Sequence, residues 1–110
     1  MVIGIRVLQL RGEKRNIDIP IRILAPEDNG KKWICRFEIE WPEGKAARWG
    51  IGGDAIEALF HALQMIGIEI YGSDHHRSGR LMWLAESTGY GFPVTKNIRD
   101  LLVGDDKRYL

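Results

Sequence analysis

Apolar and polar residues alternate through the first half of the chain, and the spacing turns helical at Gly53. From Val2 to Leu10, Ile3, Ile5 and Val7 fall on one face and Gly4, Arg6 and Leu8 on the other, which predicts a strand. Arg11-Gly12-Glu13-Lys14 suits a hairpin turn. Ile17, Ile19, Ile21 and Ile23 then alternate strictly with Asp18, Pro20 and Arg22, the pattern of a half-buried strand. Pro20 has no N–H to donate, so it is expected at an edge or a bulge. A second turn at Pro26–Gly30 leads into Lys31–Trp41, with Trp33, Cys35, Phe37, Ile39 and Trp41 on one face. Pro42–Lys45 turns the chain again. Ala47, Trp49 and Ile51 continue the pattern, placing Trp49 inward beside Trp33, Phe37 and Trp41. Short turns between alternating strands predict an antiparallel meander.

The helical stretch starts after Gly50, Gly52 and Gly53, which are expected to supply a sharp change of direction. Asp54 can cap the first turn, and Glu57 three residues on completes an acidic capping box. Ala55, Leu59, Ala62, Leu63, Ile66 and Ile70 share one side, and Ile56, Phe60 and Met65 widen the stripe, predicting cover over much of the circumference. Small Ala55, Ala58 and Ala62 allow close approach to a sheet. Gly67 weakens the last turn, so the helix is expected to end between Ile66 and Tyr71.

Gly72–Gly79 reads as a polar loop and Arg80–Leu84 as a short strand at a sheet edge. Glu86–Pro93 is a glycine-rich loop whose Tyr90 and Phe92 are expected to close over one end of the helix, the alternative being an exposed aromatic patch that marks an interface. Thr95 can cap a last short helix with Ile98, Leu101 and Leu102 on its apolar side, and Gly104 would stop it. The expected fold is therefore α+β: a four- to five-stranded, mainly antiparallel meander with one long helix on its apolar face and a short C-terminal helix. Residues 1–104 form a single domain and 105–110 a polar tail.

Composition narrows the picture. The 110 residues suffice for one hydrophobic core. Sixteen basic and fifteen acidic residues leave a net charge of +1, which argues against binding driven by charge to nucleic acid or anionic membrane. No apolar run approaches the ~20 residues that span a bilayer, and the N-terminus has no leader pattern. Cys35 is the single cysteine, so no internal disulfide forms, which suits a reducing cytoplasm.

Few residues suggest chemistry. Gly50-x-Gly52-Gly53 stands before a helix, where phosphates bind in nucleotide folds, but its spacing matches no phosphate motif and Asp54 adds a negative charge. Asp74-His75-His76-Arg77 could face a partner or a ligand, with Tyr90 nearby. Neighbouring histidines point apart, however, and no third ligand at metal spacing follows. Cys35 lies mid-strand and reads as a small core hydrophobe. No catalytic residue, cofactor site or metal site is expected, and Ser87 and Thr88 have no adjacent partners for a triad.

Four motifs in order carry a resemblance: Trp33-Ile-Cys35-Arg-Phe37, Gly53-Asp54-Ala-Ile-Glu57-Ala58-Leu59, Leu81-Met-Trp83-Leu84 and Gly89-Tyr90-Gly91-Phe92-Pro93. The chain up to Pro93 resembles a family of small uncharacterised bacterial domains that share a W-x-C strand, a G-x-D-x-x-x-A-L helix start and a late G-F-P. Where that family commonly has glutamine before the Ala-Leu pair, this chain has Glu57. The resemblance implies this fold and a bacterial cytoplasmic setting, and it supplies no catalytic residues.

The functional expectation is a non-enzymatic binding or interaction protein of the immunity or accessory type, with a protein partner, a homodimer being open. The alternative is a small hydrolase or ligand-binding enzyme using Asp74, His75 and His76. Nucleic-acid binding would need Arg77, Arg80, Lys96 and Arg99 on one face.

Overall fold

A computed structural model describes residues 1–85 and 87–110. Glu86, the expected start of the glycine-rich loop, lies outside the described residues. The strands are β1 (Val2–Leu10), β2 (Ile17–Leu24), β3 (Glu27–Asp28), β4 (Trp33–Trp41), β5 (Gly44–Gly52) and β6 (Leu81–Met82). Among the described residues they make one antiparallel sheet, in which β4 pairs β5 on one side and the β2/β3 line on the other, followed by β1 and β6. The meander is thus present, widened by the two-residue strands β3 and β6. Pro20 sits one position past the last β2–β4 pair, Ile21 with Ile39, so its missing N–H costs no ladder bond there.

The long helix α1 (Ala55–Tyr71) packs on β4 and β5. Its cap is as the sequence predicts. Asp54 accepts from the Glu57 N–H at 2.8 Å, and the Glu57 carboxylate accepts from the Gly53 N–H at 2.9 Å. Ala58, Ala62, Ile66 and Ile70 are buried against Leu8, Ile19, Ile21, Cys35, Phe37 and Ile39 of the sheet. Cover is narrower than the stripe suggests, for Ile56 is 79% exposed and Phe60 51%.

The reading of Gly50 and Gly52 as turn residues changes. Gly50 and Gly52 are buried strand residues beneath the helix. A Cβ on Gly50 would stand 2.3 Å from the Ala62 nitrogen, and one on Gly52 2.4 Å from the Ala58 nitrogen. They let α1 lie down on β5. The helix ends at Tyr71, within the expected range, and the bare Cα of Gly67 admits the Pro93 carbonyl, 1.9 Å from where a Cβ would be.

Strand β5 also reverses the expected faces. Trp41 pairs with Gly44 across a two-residue turn, and residues opposite each other in an antiparallel pair share a face. Ala46, Gly50 and Gly52 therefore face the helix, while Trp49 (52% exposed) and Ile51 lie on the outer face. Apolar content alone favours the odd residues; hairpin parity and the closeness of α1 select the even ones.

Past α1, the polar Gly72–Gly79 segment contains a one-turn helix, α2 (Asp74–Arg77). A kinked 3₁₀ segment (Lys96–Leu101) follows, without a side-chain cap from Thr95. The last six residues, expected as a tail, lie largely in helix α3 (Gly104–Tyr109), which carries Asp106 into the core. Gly104 opens this helix instead of stopping one, with φ +58°.

Candidate functional site

Helix α2 separates its side chains. Ser73 caps it, its hydroxyl accepting from the His76 N–H at 3.1 Å. Asp74 pairs with Arg77 at the surface, and Arg77 also donates to the Gly72 carbonyl at 3.0 Å. His75 turns toward the β4–β5 hairpin, stacked 5.0 Å from the Trp41 ring with Nε2 2.8 Å from a Glu43 oxygen. That hydrogen bond holds the Glu43 carboxyl below its ordinary value. His76 turns the other way, and its Nδ1 lies 2.6 Å from the Tyr90 hydroxyl. Adjacent histidines diverge, as helix geometry requires. Of the five residues singled out from the sequence, Asp74 pairs with Arg77 and His76 with Tyr90, while His75 turns away from both pairs. No group of three metal-ligating side chains is found among the described residues.

The His76–Tyr90 pair borders a depression of about 180 Å³, shared with Leu81, Met82, Ser87 and Val103. Burial lowers the His76 pKa, assisted by the Arg77 charge, so its imidazole is neutral near pH 7. Burial, followed by the Asp106 charge, pushes the Tyr90 hydroxyl up to about 12. The contacts fit a Tyr90 O–H donating to a neutral Nδ1, with the Leu81 carbonyl a longer acceptor at 3.4 Å. At neutral pH the Tyr90 hydroxyl is protonated and the His76 ring is neutral, so the ring accepts a hydrogen bond from the Tyr90 O–H. The depression thus offers polar contact from the hydrogen-bonded His76–Tyr90 pair beside apolar Leu81, Met82 and Val103.

Behind this pair lies a network that sequence reasoning missed. Tyr71 packs edge-on against His76 and Tyr90 at 4.8 and 5.2 Å. Its hydroxyl donates to Asp106 Oδ2 at 2.6 Å, and burial together with that bond raises its pKa. The buried Asp106 carboxylate also accepts from the Tyr90 and Gly91 N–H groups, both at 2.7 Å. Arg6 Nη1 donates to the carbonyls of the same two residues at 3.1 and 3.0 Å. The Arg6 guanidinium lies 4.0 Å from the Trp83 ring centroid and 4.7 Å from that of Phe92. Burial lowers the Arg6 pKa, while the Asp106 charge opposes that shift. One signal for Arg6 was available: it is a cation in phase with Leu8 and Leu10, which are buried. Asp106 gave none, being one carboxylate in a polar run.

Cys35 is buried, its thiol within 3.4 Å of the Leu24 carbonyl and its pKa raised by burial, which fits a core residue. No helix among the described residues is long and apolar enough to cross a membrane.

No curated protein and no solved structure matches the chain. A family of domains of unknown function, DUF6968, matches residues 4–94, from β1 through the segment that crosses Gly67, and the chain belongs to that family.

Proposed function

We propose that this domain is a non-enzymatic interaction protein that docks a protein partner on the outer face of its sheet. The observation that carries the reading is the row of apolar side chains on the face opposite α1. Ile3, Ile5 and Val7 are exposed along β1, with Ile5 61% exposed, and Trp49 and Ile51 are exposed along β5. Between them runs a charged band that includes Arg22 paired with Glu40 and Lys45 with Glu38. Leu84, 86% exposed, lines a shallow depression with Val7 at the β6 end. Apolar stripes around a polar band are what a protein interface uses, apolar anchors giving affinity and charges giving register.

A bacterial, cytoplasmic setting belongs to the same reading and rests on the family resemblance, and an immunity or accessory role rests on analogy with small bacterial α+β proteins. The hydrolase reading has less support, because Asp74, His75 and His76 contact three separate partners.

The test is affinity capture from the native host with the wild-type domain and with Val7→Glu and Trp49→Glu. One defined protein should be recovered by the wild type and lost with at least one variant whose thermal unfolding is unchanged. Failure of the wild type to recover any defined protein would count against the reading.

A further inference from the structure

We propose that the cleft between β1, α1 and the Gly91–Pro93 crossing binds a small apolar carboxylate, such as a medium-chain fatty acid, through Arg6. The cleft has a volume of about 260 Å³, and Ile21, Ile23, Leu63, Phe92 and Pro93 form much of its wall. Arg6 is the one ionisable side chain that lines it. A guanidinium carries five N–H donors. Here Nη1 is taken up by the Tyr90 and Gly91 carbonyls, while Nε and Nη2 have no partner among the described residues. No unpartnered side-chain nitrogen among them is fully buried, so that edge of the fork is not sealed from solvent.

An arginine fork matches a carboxylate with two parallel N–H···O bonds. The aromatic rings of Trp83 and Phe92 hold the guanidinium in place, which lowers the ordering cost of binding. Asp106 does not fill the open edge. Its two oxygens are occupied by the Tyr71 hydroxyl and the Tyr90 and Gly91 N–H groups. The strand edge adds a donor. Arg11 donates its N–H to the Arg80 carbonyl beside β6, and the two-residue alternation aims the Ile5 N–H at the same side, beyond the end of β6. The remaining lining is apolar, which favours an alkyl chain over a polar anion such as phosphate. This site shares only Ile5 with the partner-docking face and stands or falls independently of it.

The experiment titrates the 110-residue protein with sodium octanoate and follows side-chain methyl resonances by NMR. Saturable shifts should appear at Ile21, Ile23 and Leu63, with octanol and octylamine binding at least tenfold more weakly. Arg6→Met should weaken octanoate by tenfold or more. Because that change also removes two hydrogen bonds, Gly4→Val supplies a second route. A Cβ at Gly4 meets nothing within 4 Å, so a valine there enters the cleft from β1 without disturbing Arg6, and octanoate binding should be lost. Absence of saturable octanoate shifts in the folded wild type overturns the proposal. So does octanol binding as tightly as octanoate, or shifts confined to Ile3, Val7 and Leu84.

Discussion

Arg6 and Asp106 grip the same two residues from opposite sides. Arg6 Nη1 donates to the carbonyls of Tyr90 and Gly91, and the Asp106 carboxylate accepts the N–H groups of those residues. One partner comes from the first strand and the other from the last helix, so the crossing segment is fixed by the two ends of the chain. That segment carries Tyr90 to His76 and Phe92 to Arg6, and it forms one wall of the His76–Tyr90 depression and of the Arg6 cleft.

Asp106→Ala should therefore be strongly destabilising. It leaves two backbone N–H groups and the Tyr71 hydroxyl without their acceptor, at about 1–3 kcal/mol for each group that water cannot reach. The expected loss is about 2–5 kcal/mol, measured by urea unfolding. Asp106→Asn keeps one oxygen and should lose less. A loss below about 1 kcal/mol for the alanine variant would mean that the clamp is dispensable.

The glycines under and over α1 make a second prediction. Gly50→Ala and Gly67→Ala each drive a methyl into backbone, at 2.3 Å from the Ala62 nitrogen and 1.9 Å from the Pro93 oxygen. Neither obstacle is a side chain that can rotate away, so each variant should cost about 1–3 kcal/mol or more as an overpacked contact. Gly4→Ala, with open space around it, should stay within about 0.5 kcal/mol of the wild type. Thermal unfolding of the three variants side by side checks the order. A Gly67→Ala protein as stable as Gly4→Ala would show that the crossing segment does not rest on the helix.

The contrast among these residues shows what was legible in the chain. Period-2 alternation located β1, β2 and β4, and the Asp54–Glu57 spacing located the start of α1, because each depends on neighbours in sequence. The face of β5 was misread because it depends on hairpin parity, and Trp49 looks like a core residue to any apolar count. Gly50 and Gly52 read as turn residues because their real constraint is a helix backbone lying across them. Of the candidate site, the loop-to-Tyr90 link was legible, through polarity and aromatic character. The Arg6–Asp106 clamp was not, since its members stand 100 positions apart and neither carries a local motif.

The cap predicts a local effect. Asp54 satisfies the Glu57 N–H at 2.8 Å on an exposed helix end. Asp54→Ala should cost about 0.5–2 kcal/mol and leave partner and carboxylate binding intact in the folded fraction. Paired stability and binding measurements on this variant separate the two. Lost binding at unchanged stability would show that the Gly50–Asp54 turn is itself a binding surface.

His76 should make stability depend on pH. Burial holds its folded pKa below the ordinary 6.5, so the unfolded chain takes up the proton first as pH falls. Stability is then complete above about pH 6.5. It declines on acidification until the folded imidazole is protonated as well. Glu43 acts in a lower window: its depressed carboxyl contributes above its ordinary 4.5, and the contribution is lost as pH falls further. Because Glu43 is exposed, solvent screens that part and it should be the smaller of the two. Tyr71 and Tyr90, both raised, stay protonated throughout this range. His76→Asn removes the titrating group and keeps a polar partner for the Tyr90 hydroxyl. Its unfolding temperature should vary less than the wild type's between pH 7.5 and 5.5, with the decline at lower pH retained. An equal slope in both proteins across the upper window would show that His76 is not buried in its neutral form.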